Sequence, residues 1–470
     1  MGELAEEFIS KKRMLNRTTF RLIRLSDFQN HSIMNKRLTV EVLSFLLIAT
    51  MLSFSACIKD TCKQEYTYTY YEAVYKTKAE VRANIKTNAP RQAENTGKIY
   101  VRGNIIFLNE VDRGIHVINN ANPSHPVNVA FIDIPGNMDM AVKGNILYAD
   151  LYTDFVAIDI TDPLNVKVKK VIEGVFPYRY WGGGFVGPAN NSDLIVTDWV
   201  RKDTTVTSSC NQPGTWWGRG GDVFLSSTRG IANNSSSGGS APSSSSSPIG
   251  AGGSMARFTI MNDRLYTVSI SDLDVFNITN SADPQHTNTI SVGGWNIETI
   301  YPFKDKLFIG SRSGMFIFNV VNADAPSPAG QFQHARSCDP VIADDNYAYV
   351  TLRSGTECEG FSNQLDIVNL NISNNNGDPV LEKTYPMKNP HGLSKDGDLL
   401  FICDGAAGLK LYDAGNVSNL QLISEISDIE TFDVIAMNKI ALVVAKDGLY
   451  QYSYADLSNI RLLSKFTIDK

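Results

Sequence analysis

The sequence predicts an all-β fold, a β-propeller of four-stranded blades, eight in number or alternatively seven. Three observations carry this. The stretch GLKLYD (residues 408–413) recurs in register as GIHVIN (114–119), FVAID (155–159), LDVFN (273–277), MFIFN (315–319), LDIVN (365–369) and LYQYS (449–453), mostly closed by Asp or Asn. The closing positions 119, 159, 277, 319, 369, 413 and 453 lie 40, 118, 42, 50, 44 and 40 residues apart. A period near 40 made of strand-like pieces is the pattern of a radially repeated sheet. Finally, Asn122-Pro123, Asp162-Pro163, Asp283-Pro284, Ala325-Pro326 and Asp378-Pro379 follow third strands. Proline there fixes its own φ and pushes its neighbour out of the helical region, which favours a turn.

Each unit contains four strand-like pieces. In the second they are DMAVK (139–143), ILYAD (146–150), FVAIDI (155–160) and VKVKKVIE (166–173), separated by Lys143-Gly144-Asn145, a polar link at Thr153-Asp154, and Thr161-Asp162-Pro163. Four short strands cannot bury both faces alone, so each sheet must stack on its neighbours, and closing the stack removes exposed ends. The register starts units near residues 97, 137, 254, 295, 336, 390 and 431. In the long gap, DLIVTDWV (193–200) resembles a second strand and residues 204–208 a poor third, which together read as a degenerate eighth unit and favour eight blades over seven.

Composition agrees with a packed, turn-rich chain: 43% hydrophobic, 10% aromatic and 35 glycines in 470 residues. The net charge of -6 comes with no clustered basic face, so nothing points to nucleic acid.

Residues 34–56 read as a signal peptide: Lys36 and Arg37 precede an apolar run from Leu43 to Ala56, too short for a membrane span. The setting of Cys57 resembles a bacterial lipobox, with Phe54 where Leu is usual. That resemblance implies cleavage before Cys57, diacylglycerol on its thiol and a membrane as partner, since two or three acyl chains at about 0.8 kcal/mol per methylene anchor lastingly. Ile58-Lys59-Asp60 faintly resembles a charged export tag to the cell surface. For residues 1–33 two accounts stand: translation starts at Met34, or they form a cytoplasmic extension with 38–56 retained as an anchor.

Residues 57–96 read as a tether and N-terminal segment, with a tyrosine-rich strand and a short helix in TKAEVRANI (77–85); residues 97–470 form the propeller. A flexible Ser/Gly-rich insertion lies near 208–253, too polar to repay ordering. It carries Trp216-Trp217, which either contact a ligand or tuck against the ring. Outside the cytosol cysteines can pair. Cys338 opens one unit and Cys358 follows its second strand, so the two are expected to meet as a disulfide at one end of a blade. Cys62 with Cys210 is the other pair the count allows, and Cys403 sits in a strand as a small buried residue. No cysteine or histidine spacing supports a metal site.

The whole-chain motifs NMDMAVKGNILYAD, GGSMARF, DKLFIGSRSGMFIFN, CDPV, AYVTLRSG and DGLYQY, with the Asp/Asn-Pro turn after several of the GLKLYD-like strands, resemble LVIVD-repeat lipoproteins of Bacteroidota over roughly residues 57–470. The resemblance implies an outer-membrane lipoprotein on the cell-surface or periplasmic side. It brings no catalytic residues.

One slot in successive first strands holds Asp139, Arg257, Glu298, Asp339, His391 (or Gly392) and Asp433. If first strands are innermost, these converge on the channel mouth, with Trp295 beside Glu298, as a candidate ligand site. The structural alternative is that such carboxylates bond strand amides and tie blades together. A lone His such as His391 is more often hydrogen-bonded structure than a metal ligand or general base. No nucleophile elbow, phosphate loop, dinucleotide fingerprint or metalloprotease helix occurs, and no cofactor is implied. The functional expectations are a binding or scaffold module for a glycan or envelope protein, or alternatively an enzyme (glycan lyase, hydrolase or quinone-type oxidoreductase) working at the channel mouth.

Overall fold

The computed structural model describes residues 63–181, 185–188, 190–191, 193–209, 250–294, 296–334, 340–355 and 362–467. The chain divides into two compact units. The described part of the first is the ends of two strands, Lys63–Thr77 and Leu194–Ser209, where the Thr67 and Thr205 hydroxyls lie 2.9 Å apart.

The second unit is a propeller of seven antiparallel sheets. Blade 1 comprises Thr96–Arg102, Ile105–Glu110, Gly114–Asn119 and Val127–Asp133; blade 2, Met140–Lys143, Ile146–Leu151, Asp154–Asp159 and Lys167–Ile172. Blade 3 runs from Phe258–Met261 to Gln285–Ser291, blade 4 from Ile297–Phe303 to Ser327–Gln333, and blade 5 from Val341–Ala343 to Pro379–Pro386. Blade 6 runs from Leu393–Asp396 to Gln421–Ile426 and blade 7 from Thr431–Met437 to Arg461–Thr467. First strands touch the first strands of the next blade from blade 1 through blade 7, and the first strand of blade 1 packs on the second strand of blade 7. First strands therefore form the inner edge of a closed ring.

Blades 2 and 3 touch directly, so the ring holds no eighth. The residues read as a degenerate unit instead belong to the single strand Leu194–Ser209, which pairs with Lys63–Thr77. The reason is local. Arg201-Lys202-Asp203 contains no Gly, Pro or Asn to break the strand, and the alternating Thr-rich pattern matches the alternating tyrosines opposite.

Apolar clusters bridge neighbouring blades rather than filling single ones. Ile99, Ile106 and Leu108 of blade 1 pack with Ile435, Leu442 and Val444 of blade 7, while Phe308 and Met315 of blade 4 pack with Val341 and Val350 of blade 5. This is why third strands such as GLYQY are buried along their length, unlike strands with one wet face. Ring closure adds a reciprocal amide pair, Asn120 Nδ2 to Gln451 Oε1 at 2.9 Å and Gln451 Nε2 to Asn120 Oδ1 at 2.7 Å.

The Asp and Asn residues that end the third strands shape the turns. Asp159 Oδ1 accepts from the Thr161 amide at 2.9 Å, and Asp162 Oδ1 from the Leu164 amide at 3.0 Å. The same doubled arrangement recurs at Asn119/Asn122, Asn277/Asn280 and Asp413/Asn416. Every fourth strand pairs with its third through a one-residue register shift, which bends the outer strand around the blade.

Before blade 1, Thr77 caps the helix Lys78–Ala83 in a capping box with Glu80. Arg82 of this helix pairs with Asp154 and Glu173. Lys86–Asn88 then extends the outer edge of blade 1, and Ala251–Gly252 extends its inner edge.

Candidate functional site

The inner edge of the ring is crossed by the chain itself. Gly250 donates its amide to Val142 O of blade 2, Ala251 and Gly252 pair with Val101 and Tyr100 of blade 1, and Gly253 donates to Ile99 O. Ser254 Oγ donates to Asp433 Oδ1 of blade 7 at 3.3 Å and accepts from the Leu393 amide of blade 6 at 2.8 Å. Ala256 O accepts from the Ile300 amide of blade 4 at 2.8 Å, and the Arg257 amide donates to Asp139 Oδ2. With Arg257 O accepting from Val268 in blade 3, the segment 250–257 bonds to six of the seven blades. Residues 250–257, between the Ser/Gly-rich insertion and the first strand of blade 3, thus form a crosspiece along the inner edge of the ring.

Glycine permits this closeness. A Cβ on Gly253 would lie 2.0 Å from Asp433 Oδ2, and one on Gly392 2.2 Å from Asp433 Oδ1. Asp433 is thus clasped between two glycine backbones, 3% exposed.

Asp139, Arg257 and Asp433 come together here, joined by Lys98 and Asp150. Lys98 Nζ lies 3.0 Å from Asp139 Oδ2. Asp150 Oδ1 accepts from the amides of Met138 and Asp139 at 2.8 and 2.9 Å. Burial pushes the Asp150 carboxyl up to about 6 in spite of those bonds. Burial likewise pushes Asp433 up to about 7, partly offset by the Val434 amide, Lys98 and Ser254. Asp433 Oδ2 and Arg257 Nε are both buried without a hydrogen-bond partner.

Glu298 pairs with Arg312 at 3.0 Å. His391 is buried, its Nε2 3.2 Å from Asn389 Nδ2 and its ring edge-on to Phe432. Burial first, then Arg353, drives its imidazole down to about 3, so it stays neutral. Trp295, Asp339, the Cys338–Cys358 pair, Cys57 and Trp216-Trp217 lie outside the described residues. Cys403 is a free, buried thiol.

Lys98, Asp150 and Ser254 escaped the sequence reading, though two left a trace. Lys98 holds in blade 1 the slot that Asp139 and Asp433 hold in theirs. Asp150 is the penultimate residue of a second strand, as Asp404 follows one in blade 6, and Asp404 accepts in the same way from the amides of Lys388 and Asn389.

Two kinds of hollow adjoin these elements. A cavity of about 40 Å³ lies between blades 2 and 3 beside Asp139, Asp150, Tyr152, Phe176 and Arg257, with room for a few waters. On the flank of blade 4, an open hollow of about 550 Å³ is lined by Phe316, Pro328 and Ala329 and by the polar Gln331, Asn376 and Asp378, among others. A second hollow of about 270 Å³ shares Ile317, Ala329 and Gly377 with it. Among the described residues, no three His, Cys, Asp or Glu side chains gather as a metal would require.

No family model and no curated protein matches the chain. Among solved structures, the computationally designed Ika8 protein is similar with 8% identity over 81% of this chain and 90% of its own, at a TM-score of 0.45. A protein from Lactobacillus plantarum is similar with 12% identity over 79% of this chain and 97% of its own, at 0.46. Citrobacter koseri AztD is similar with 10% identity over 69% of each chain, at 0.38.

Proposed function

We propose that this chain is a lipid-anchored β-propeller of the cell envelope, of the LVIVD-repeat kind, that binds a glycan or an envelope protein along its blade flank. The observation that supports this reading is the division of labour between channel and flank. Asp139 and Asp433 of the inner ring bond Lys98 and segment 250–257, and the cavity beside them is about 40 Å³. The flank hollow of about 550 Å³ falls in the size range of ligand sites. Its apolar lining at Phe316, Pro328 and Ala329 suits the C–H face of a sugar or an apolar side chain, and its amide and carboxylate groups suit hydroxyls or peptide groups.

Two experiments test the reading. The detergent-purified full chain is screened on glycan arrays and as bait in envelope extracts. A specific ligand lost on Asn376→Arg, with unchanged melting, supports the flank site; no ligand, or one indifferent to that change, rejects it. Fatty-acid labelling of expressing cells should mark the wild type and not Cys57→Ser, and an unlabelled wild type rejects the anchor.

The alternative, an enzyme at the channel mouth, draws on Arg257, whose unpartnered Nε sits in the cluster with Asp150. Turnover of any substrate abolished by Arg257→Lys without loss of melting temperature would favour it.

A further inference from the structure

The crossing segment rests on a buried acid that has little means of bearing a charge. Asp433 Oδ1 accepts from Ser254 Oγ and from the Val434 amide, while Oδ2 has no hydrogen-bond partner. Over Oδ2 lies Gly253 of the segment, and against Oδ1 lies Gly392, which leads into the inner strand of blade 6. The ionisable groups that act most on Asp433 are Lys98 from blade 1 and Asp139 ahead of blade 2, and Asp433 in turn acts on Cys403 from blade 6. Lys98 is shared, since it bonds Asp139. Cys403 is fully buried, and burial raises its thiol well above the usual value.

We propose that residues 250–257 form a pH-responsive plug, held across the inner strands while Asp433 is protonated and released from its seat when Asp433 ionises. The physical reason is solvation. An ionised carboxylate with one oxygen unbonded must recruit water or a donor. The inner strands of blades 6 and 7 are each held by a ladder to their second strand. The segment lies outside the blade ladders except where Ala251 and Gly252 pair with blade 1, its other ties are single hydrogen bonds, and its Gly253 covers Oδ2. Lifting Gly253 admits water to Oδ2 and gives up the Ser254 bonds to blades 6 and 7. The carboxyl sits at about 7, where modest changes around neutrality switch it. The chemistry needs a proton alone and no other ligand.

The test is hydrogen–deuterium exchange of peptides spanning 250–257 in the full chain, from pH 5.5 to 8.5, corrected for intrinsic exchange. Wild-type protection should fall at least tenfold, roughly the effect of one pK unit, while peptides from the third strands stay protected. Asp433→Asn should remove the pH dependence. Lys98→Met, which strips away the nearest cation, should move the transition to higher pH. Protection independent of pH in the wild type, or an Asn variant that keeps the wild-type profile, overturns the proposal, and the wild-type series decides even where a variant fails to fold.

Discussion

The Ser254 hydroxyl donates to Asp433 Oδ1 at 3.3 Å while accepting from the Leu393 amide at 2.8 Å, so one side chain fastens the crossing segment to two blades. Both partners are buried, and Ser254 itself is 2% exposed. Replacing it by Ala leaves a buried amide and a buried carboxyl oxygen short of a bond. Ser254→Ala should therefore lower unfolding free energy by about 1–3 kcal/mol in denaturant titration. An unchanged midpoint would mean that the hydroxyl is solvated elsewhere.

The two glycines around Asp433 should be intolerant for a shared reason. Ala at Gly253 or Gly392 places a methyl group about 2 Å from a carboxyl oxygen, which a packed interior resists at a cost of about 1–3 kcal/mol. Because the clash is with Asp433, combining Gly392→Ala with Asp433→Ala should cost less than the sum of the two. Strict additivity would place the strain elsewhere.

Global stability should carry two opposed pH signals. Asp433 is raised from 3.8 to about 7, so its contribution is full below 3.8 and is lost as pH climbs through about 7. His391 is lowered from 6.5 to about 3, so its contribution is present above 6.5 and fades as pH falls toward 3. Between pH 6 and 8 the two partly cancel, so the variants reveal them. Relative to Asp433→Asn, the wild type should lose about 1.4 kcal/mol across that interval, one pK unit's worth. Relative to His391→Gln it should gain a smaller amount. Parallel pH curves for wild type and Asp433→Asn would contradict the first assignment.

The ring joint should respond to its amide pair. Asn120→Ala and Gln451→Ala should each destabilise by about 1–2 kcal/mol, and the double variant by clearly less than the sum, with a coupling of about 0.5 kcal/mol or more. Zero coupling in a double-mutant cycle would show that the two amides do not act as a pair, leaving the closure to the apolar cluster of Ile99 and Val444 and to the Ser464–Pro123 bond.

The fold was legible where packing on both faces forces a pattern. Strands such as Gly448–Ser453 are buried between blades, and their recurring apolar run with a turn-forming Asp or Asn at the end is visible in any copy. The blade number was less legible because Asp193–Val200 has the alternation of a second strand, and only its pairing partner, Lys63–Thr77, shows what it is. Bulges in the fourth strands left no mark, because those strands face water and an extra residue there disturbs no apolar period. The channel residues Asp139, Arg257 and Asp433 were readable from their shared slot. Their mutual ties were not, because the crosspiece acts through main-chain groups and two glycines, and periodicity records neither. Gly252-Gly253-Ser254 is its one trace in sequence.

The most direct test is a crystal structure of the chain with density for residues 250–257. Seven four-stranded sheets should stand in a closed ring, with Ser254 Oγ within hydrogen-bonding distance of Asp433 and the Leu393 amide. An eighth sheet between blades 2 and 3, or an empty channel with Ser254 in solvent below pH 6, would contradict it.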